Sequence, residues 1–201
     1  MPRALSSEDV EDFRRRLCAA AETLFAEHGP EAVTMRQLAQ ALGVSPMTPY
    51  RYFADKDAIL AAVRAAAFDR FAEALEAAVA APGDPVERSR HAGDAYVAFA
   101  LREPQAYRLM FDLNQPTEKD YPELTAAAAR ARRTMTAHVE AMIQAGQIAG
   151  DPELIGHMFW SVLHGVLMLQ MSDKLSPNID PDRLRAATIG ALSRGLAVGP
   201  G

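Results

Sequence analysis

Apolar side chains recur at three- and four-residue intervals along almost the whole chain, which is the spacing of amphipathic helices. In the first predicted helix the apolar stripe is formed by Phe13, Leu17, Ala21, Leu24 and Phe25. Alanine is abundant, β-branched residues are sparse, and no segment shows the alternation of a convincing strand. The pattern therefore predicts an all-α fold.

Glycine and proline residues divide this pattern into about nine helices. Gly29-Pro30 ends the first helix, Gly43 lies in the turn after the second, and Pro82-Gly83-Asp84-Pro85 separates the fourth from the fifth. An irregular loop begins at Gln115-Pro116-Thr117. The predicted helices cover residues 8–28, 35–42, 46–53, 56–80, 86–102, 103–111, 122–145, 152–171 and 181–196.

The second and third predicted helices are short, follow a longer one and are joined by a glycine-containing turn, which is the layout of a helix-turn-helix unit. Thr34 stands three residues before Gln37, the spacing of a capping box that begins the second helix. In such a unit the start of the following helix approaches base edges in the major groove. The residues at that start are Ser45, Pro46, Met47 and Thr48.

The sequence offers more candidate contacts to the DNA backbone than to bases. Four residues of phosphate-contacting types lie within seven positions, namely Tyr50, Arg51, Tyr52 and Lys56. The N-terminus of the second predicted helix, at Thr34, adds N–H groups oriented toward a phosphate. Arg36 in the same helix is a candidate for contacting a guanine from outside the third predicted helix, which is the recognition helix of such a unit. Pro46 and Met47 offer apolar contact alone, for example to a thymine methyl group.

Charge limits how such an interface can work. The net charge of −5 excludes a generally basic, charge-driven nucleic-acid binder. Residues 1–56 carry seven arginines and lysines against eight acidic residues. Any DNA contact must therefore use one local cationic face, and we expect its affinity to depend steeply on salt.

The single cysteine and the N-terminal sequence indicate an intracellular protein. Cys18 alone excludes an intrachain disulfide and any zinc site that needs two thiolates. The first sixteen residues alternate acids and bases without an apolar core, so we expect no secretory signal and a cytoplasmic location. Residues 154–172 carry no formal charge and are long enough to span a bilayer, but their polar residues favour a buried helix that also covers a subunit interface.

The later helices supply more apolar surface than a small DNA-binding unit needs. This surface fits either a plain core or an adaptable, methionine-rich cavity for a hydrophobic or amphipathic small molecule. Trp160 and His164 share one helix face. They either provide polar groups that bind a ligand or pack in the core. The candidate ligand contacts are Met110, Phe111, His138, Met142, Phe159, Trp160, Leu163, His164 and Met168.

The sequence does not indicate an enzymatic activity. The motifs G-x-S-x-G, Walker A, G-x-G-x-x-G and H-E-x-x-H do not occur. His157 and His164 share a helix face, but we expect no metal site there and no cofactor. Cys18 is expected to be a small buried residue rather than a redox sensor, although Arg14 and Arg15 lie one turn before it. The sequence therefore indicates that the chain is not an enzyme.

Five segments at fixed spacing resemble the N-terminal DNA-binding domain of TetR-type transcriptional regulators. They are Leu24–Gly29, Thr34–Ala39, Gly43–Ser45, Tyr50–Phe53 and Lys56–Leu60. The run Trp160–Gly165, together with Pro104 and Tyr107–Phe111, further resembles the Trp-His-Gly class of TetR ligand-binding domains.

The resemblance implies a DNA-binding domain over residues 1–55 and a helical effector-binding and dimerisation domain over residues 56–201. It implies phosphate contacts from Tyr50, Tyr52 and Lys56, and a homodimer that binds a palindromic operator and is most often a repressor released by a small molecule. Pro49 departs from the family pattern and either tightens or distorts the recognition helix, because proline has no N–H. The alternative is a helical small-molecule carrier or sensor whose DNA-binding half is vestigial.

Overall fold

A computed structural model describes residues 6–112 and 117–198, and these residues are helical apart from turns and one isolated bridge between Ile148 and Ala197. The all-α prediction is confirmed. The described residues form eight α-helices: α1 (Ser7–His28), α2 (Met35–Ala41), α3 (Lys56–Val79), α4 (Pro85–Arg102), α5 (Pro104–Phe111), α6 (Pro122–Gln144), α7 (Pro152–Met171) and α8 (Pro181–Leu196). Short 3₁₀ turns cover Pro49–Arg51 and Glu118–Asp120. Gln115 and Pro116, the start of the predicted loop, lie outside the described residues.

The prediction of a regular helix over residues 46–53 is wrong, because only Pro49–Arg51 is helical and it forms a single 3₁₀ turn. Pro49 has no N–H to donate to the carbonyl of Ser45, and its ring would crowd that carbonyl in an α-helix. The N–H of Thr48 donates to Ser45 O instead, at 2.8 Å, which is the tighter three-residue spacing.

Side-chain caps fix where most of the other helices begin. The predicted capping box at Thr34 is confirmed: its hydroxyl accepts from the N–H of Gln37 at 3.3 Å, and the Gln37 side chain accepts from the Thr34 N–H at 2.8 Å. A carboxylate of Asp55 accepts from the N–H of Ala58 at 2.8 Å at the start of α3. Asp84 caps α4 in the same way, with proline in its first turn.

The chain forms two compact units. The first consists of Met1–Asp69 and Gln105–Ala128, and the second of Arg70–Pro104 and Ala129–Gly201. In the first unit a buried apolar cluster joins α1, α2, α3 and the chain after the 3₁₀ turn. Its members include Leu17, Ala21, Phe25, Val33, Met35, Leu38, Phe53, Ile59, Leu60 and Val63.

The second unit is held together by aromatic and aliphatic packing. Phe71 meets Tyr96 and Phe99 edge to face, at ring-centroid distances of 5.2 and 5.3 Å. Gly156 lets α7 approach α6 closely, since a Cβ there would lie 2.9 Å from the carbonyl oxygen of Met135. Any side chain at residue 156 would therefore push the two helices apart.

Among the described residues, α7 is the one helix long and apolar enough to cross a membrane, with a mean hydropathy of 1.3. Ile155, Leu163, Val166 and Leu167 are buried in the second unit. Leu154 and Leu169 are exposed, at 60% and 43%. The helix is thus buried on one side within the single chain and apolar on another side that faces outward.

Candidate functional site

The recognition segment, residues 45–51, is anchored by its buried proline. Pro49 itself is buried, and its carbonyl accepts from the N–H groups of Tyr52 and Phe53 at 3.0 and 3.1 Å. The next residue, Tyr50, is 48% exposed, and Met47 on the preceding turn is 68% exposed. The side chains of Met47 and Tyr50 are therefore exposed on a backbone segment whose position is fixed.

The other predicted DNA-contacting residues divide by exposure. Arg36, Ser45, Pro46 and Arg51 are exposed, and Thr48 is half-buried. Thr34 is exposed, but its hydroxyl is used in the cap of α2 and also donates to Gln37 Oε1 at 2.7 Å.

Tyr52 and Lys56 have structural contacts that the sequence did not indicate. The Tyr52 ring stacks on Phe13 with centroids 4.2 Å apart. The Lys56 ammonium donates to the carbonyl of Pro30 at 2.6 Å, which ties the start of α3 to the loop before α2. Both side chains are half-buried, so each supports the unit whether or not it also contacts a phosphate.

Sequence reasoning missed Arg14 as a residue of this site. Its guanidinium donates to the carbonyl of Tyr52 at 2.8 Å and lies 4.1 Å from the centroid of the Phe53 ring, a cation–π contact. Arg14 therefore fixes the end of the recognition segment from α1. No local pattern marks this role, because the two partners are 38 residues apart.

A cavity of about 600 Å³ lies in the second unit, between residues of α4, α6, α7 and α8. Five of the predicted ligand contacts line it, namely His138, Met142, Phe159, Trp160 and Leu163. Further lining residues that the sequence did not single out include Ser89, Tyr96, Met135, Gln147, Arg185 and Ile189. A helical prediction gives their positions along each helix, but it does not show which faces meet.

The structure does not bring the other four predicted ligand contacts to this cavity. Met110 is buried in the first unit, where Phe111 packs against Phe68 and Tyr107. His164 is half-buried with its ring 6.0 Å from Trp160, and Met168 is 39% exposed on α7. Burial also lowers the pKa of His164 from its usual value.

Two hydrogen bonds join polar side chains of the cavity wall to one another. The indole N–H of Trp160 donates to the hydroxyl of Tyr96 at 3.0 Å. His138 Nδ1 and the hydroxyl of Ser89 are 2.9 Å apart. Burial lowers the pKa of His138 to about 4, so the imidazole is neutral near pH 7. The polar groups of Trp160 and His138 therefore carry no charge toward a ligand.

The next residues to compare with the sequence are the candidates for metal binding or redox chemistry, His157 and Cys18. Within residues 6–112 and 117–198, no three His, Cys, Asp or Glu side chains cluster in a way that could hold a metal ion. His157 Nδ1 lies 2.8 Å from the carbonyl of Glu153 on its own helix. Burial raises the pKa of the Cys18 thiol to about 11, so the reactive thiolate form is disfavoured there.

Both halves of the chain match sequence models of one protein family. Residues 17–63 match the model described as "Bacterial regulatory proteins, tetR family", and residues 89–192 match "Tetracyclin repressor-like, C-terminal domain". The second match alone covers just over half of the chain. The chain therefore belongs to the TetR family of transcriptional regulators, which bind DNA through a helix-turn-helix unit and are not enzymes.

Curated relatives are similar over part of their length. The HTH-type transcriptional regulator HbdR of Aromatoleum sp. (strain CIB) is 36% identical over 89 residues, which are 44% of this chain and 39% of the relative. The HTH-type transcriptional activator FasR of Mycolicibacterium smegmatis is 30% identical over 108 residues, which are 54% of this chain and 49% of that protein. The aligned regions thus span less than half the length of these relatives.

Solved structures are similar over nearly the whole chain. A protein of unknown function from Rhodococcus sp. RHA1 has a TM-score of 0.81 at 29% identity, covering 98% of this chain and all of the other. The TetR family regulator PfmR of Thermus thermophilus has a TM-score of 0.69 at 25% identity, covering 91% of this chain and 100% of that chain. The helical architecture described above is therefore the family's fold.

The neutral, buried state of His138 makes stability depend on pH. The unfolded chain gains a proton on this residue below its usual pKa of 6.5, whereas the native chain stays neutral until about pH 4. The free energy of unfolding therefore falls as the pH drops between these values, by about 3 kcal/mol at most.

In urea titrations across this range, we expect His138→Gln to lose that part of the pH dependence. His91→Gln, at an exposed position on α4, should keep it. Equal pH dependence in wild type and His138→Gln would contradict the assignment.

Proposed function

We propose that this TetR-family regulator is a cytoplasmic homodimer that binds a palindromic operator and is released by a small amphipathic effector. Residues 1–55 bind DNA, and residues 56–201 bind the effector and form the dimer. The observation that carries the proposal is the combination, in one chain, of an exposed recognition segment and an apolar cavity of about 600 Å³. Cavities of this size suit drug-sized ligands.

DNA contacts follow from the exposure of the recognition segment. Met47 and Thr48 approach base edges with Ser45 and Pro46, while Tyr50 and Arg51 contact phosphates on either side. Arg36 reaches the groove from α2, and Thr34, Tyr52 and Lys56 bring backbone or side-chain donors to phosphates. This set is small, so sequence preference comes from a few base contacts combined with the spacing of two copies.

Dimerisation is supported by the apolar surface that the single chain leaves uncovered. Leu154, Met168 and Leu169 of α7 are exposed, and none of the described side chains of α8 is buried. Packing α7 and α8 against the same helices of a second copy, as a four-helix arrangement around a two-fold axis, covers this surface. The two-fold axis of the protein then matches that of a palindromic operator.

Effector release follows from linkage. A molecule that binds more tightly to a conformer with wrongly spaced recognition segments weakens operator binding by the same factor. Helix α3 runs without a break from Lys56, beside the recognition segment, to Leu75 on the cavity wall and beyond. We propose repression as the output, although one similar protein is named an activator.

A carrier or sensor with a vestigial DNA-binding half is the second candidate, favoured by one observation. The segment that reads bases in a helix-turn-helix unit is here a single 3₁₀ turn, because Pro49 interrupts the helix. Under this alternative the cavity still binds its ligand, but the recognition segment has no specific DNA target.

Substitutions in the recognition segment separate these two candidates. We expect Tyr50→Ala and Arg51→Ala each to weaken binding to a fragment retained from genomic DNA by about tenfold, because each removes one phosphate contact. Fluorescence anisotropy of the labelled fragment measures the change. Arg133→Ala, which removes an exposed arginine from α6, is the charge-matched control and should bind as wild type does. If all three variants bind equally, the second candidate is favoured.

A charge placed on α7 tests the dimer. Leu169→Glu puts a carboxylate into the proposed interface, and we expect it to sediment as a monomer at micromolar concentration, where wild type sediments as a dimer. Leu101→Glu makes the same change at a similarly exposed residue of α4 and should leave the dimer intact. A monomeric wild-type protein, or a Leu169→Glu variant that sediments as wild type does, would overturn the proposed assembly.

A further inference from the structure

The imidazole of His138 has one ring nitrogen that the chain itself does not use. Its Nδ1 lies 2.9 Å from the hydroxyl oxygen of Ser89, and no other hydrogen bond joins the ring to a described residue. His138 is 7% exposed and lines the cavity, as Ser89 does. Nε2 has no partner within the described chain and is nevertheless not fully buried, so it keeps accessible surface. That surface opens on the cavity, because this is the space that His138 lines.

Neighbouring helices hold the ring in place. Ser89 of α4 holds Nδ1, and Phe159 of α7 lies against the ring of His138 with centroids 6.3 Å apart. His138 itself belongs to α6, so three helices determine where the imidazole lies. A polar group that is already fixed suits recognition of a ligand, because little further ordering is needed on binding.

The hydrogen bond to Ser89 decides which nitrogen carries the ring proton. If the Ser89 hydroxyl donates, Nδ1 accepts, the proton lies on Nε2, and the Nε2–H is the single group left without a partner in the chain. If Nδ1 donates instead, both the hydroxyl hydrogen and the Nε2 lone pair are left without one. The first arrangement is favoured because it leaves fewer polar groups unpaired, so Nε2 presents a hydrogen-bond donor to the cavity.

Charged side chains on the wall balance one another. Arg90, Asp94, Asp182 and Arg185 line the cavity, two of each sign, and none of them is buried. Arg185 Nη1 forms an ion pair with Asp182 Oδ1 at 3.0 Å. The imidazole of His138 is neutral near pH 7, as described above. An ionised ligand group would therefore lose its hydration without gaining a buried countercharge.

Most of the remaining wall is apolar. Leu75, Met135, Met142, Phe159 and Leu163 supply thioether, aromatic and aliphatic surface. Methionine side chains adapt to ligands of different shape, so this surface favours an apolar body without fixing its outline.

We propose that the effector is an uncharged molecule with an apolar body and a carbonyl group, as in a ketone, an ester or a lactone, whose oxygen accepts a hydrogen bond from His138 Nε2. The inference rests on the proposed function, in which this cavity is the effector site. It excludes carboxylates and ammonium or amidinium ions as the preferred effectors.

Trp160 provides the readout for a direct test, because it is the single tryptophan of the chain, lines the cavity and gives one indole N–H signal in NMR spectra. The probes share a phenyl ring and have equal numbers of heavy atoms. They are acetophenone, benzoate, benzamidinium and α-methylstyrene, in which a methylene group replaces the carbonyl oxygen. Titrations near neutral pH give the dissociation constants, and calorimetry checks any probe that leaves the indole signal unchanged. We expect acetophenone to bind about tenfold more tightly than benzoate and benzamidinium.

The ketone and its alkene analogue isolate the carbonyl contact. His138→Phe keeps a ring at this position and removes the donor. We expect the ratio of acetophenone affinity to α-methylstyrene affinity to fall about tenfold in this variant, with the alkene bound at least as tightly as by wild type. A collapsed cavity would weaken both probes instead. The control is His91→Phe, at an exposed position on α4, which should leave the ratio unchanged.

Nitrogen chemical shifts of the imidazole show directly which ring nitrogen is protonated, and the signals of His138 are those that disappear in His138→Phe. We expect the proton on Nε2. The proposal is overturned if Nδ1 carries it, or if the affinity ratio is the same in His138→Phe and wild type. It is equally overturned if benzoate or benzamidinium binds as tightly as acetophenone, or if none of the probes binds at millimolar concentration.

These titrations contain no DNA, so they fail independently of the proposed function. Binding of acetophenone through His138 without any effect of cavity ligands on operator binding would refute effector release and leave the inference standing. Release of operator DNA by an anion that binds the cavity more tightly than its uncharged carbonyl analogue would do the reverse.

Discussion

The DNA-binding part of this protein depends on one buried apolar cluster, which fixes the positions of three helices and a turn at once. Leu17 of α1, Leu38 of α2 and Ile59 of α3 are fully buried in it, and Phe53 extends it to the end of the recognition segment. Arg14 completes the arrangement from outside by holding the Tyr52 carbonyl and covering the Phe53 ring. Because the cluster fixes the backbone on both sides of residues 45–51, that segment is held in place although its one helical stretch is a single 3₁₀ turn.

Pro49 shows how one residue changes local geometry without disturbing the fold around it. Its missing N–H removes an α-helical hydrogen bond and gives a 3₁₀ turn, yet the proline is buried and its carbonyl still accepts from two N–H groups. The exposed side chains on this turn are a phenol and a guanidinium, and a thioether is exposed on the turn before it. In our account sequence recognition relies on a few contacts per copy, and this makes the pairing of two copies by α7 and α8 essential for a specific site.

Much of the fold could be predicted from the sequence because its signals are local. Proline in the first turn, an Asp, Ser or Thr cap and the spacing of apolar residues mark most helix ends to within a residue or two, and the capping box at Thr34 is one example. A cap at Ser45 and a proline at the first position, Pro46, predict a helix there, but Pro49 at the fourth position limits it to a single 3₁₀ turn. The cavity could be predicted only in part: Met142, Phe159 and Trp160 follow from the pattern, whereas Ser89 and Gln147 reach the same wall through packing between distant segments, which no local pattern encodes.

The central claim is that this regulator reads a specific, two-fold symmetric DNA site through residues 45–51. The most direct measurement is selection of fragmented genomic DNA by the purified protein at two salt concentrations, followed by sequencing of the retained fragments. The account predicts a palindromic motif that is enriched at both concentrations, with weaker retention at the higher one because phosphate contacts supply part of the affinity. Retention of no DNA, or of unrelated sequences at low salt alone, would contradict it.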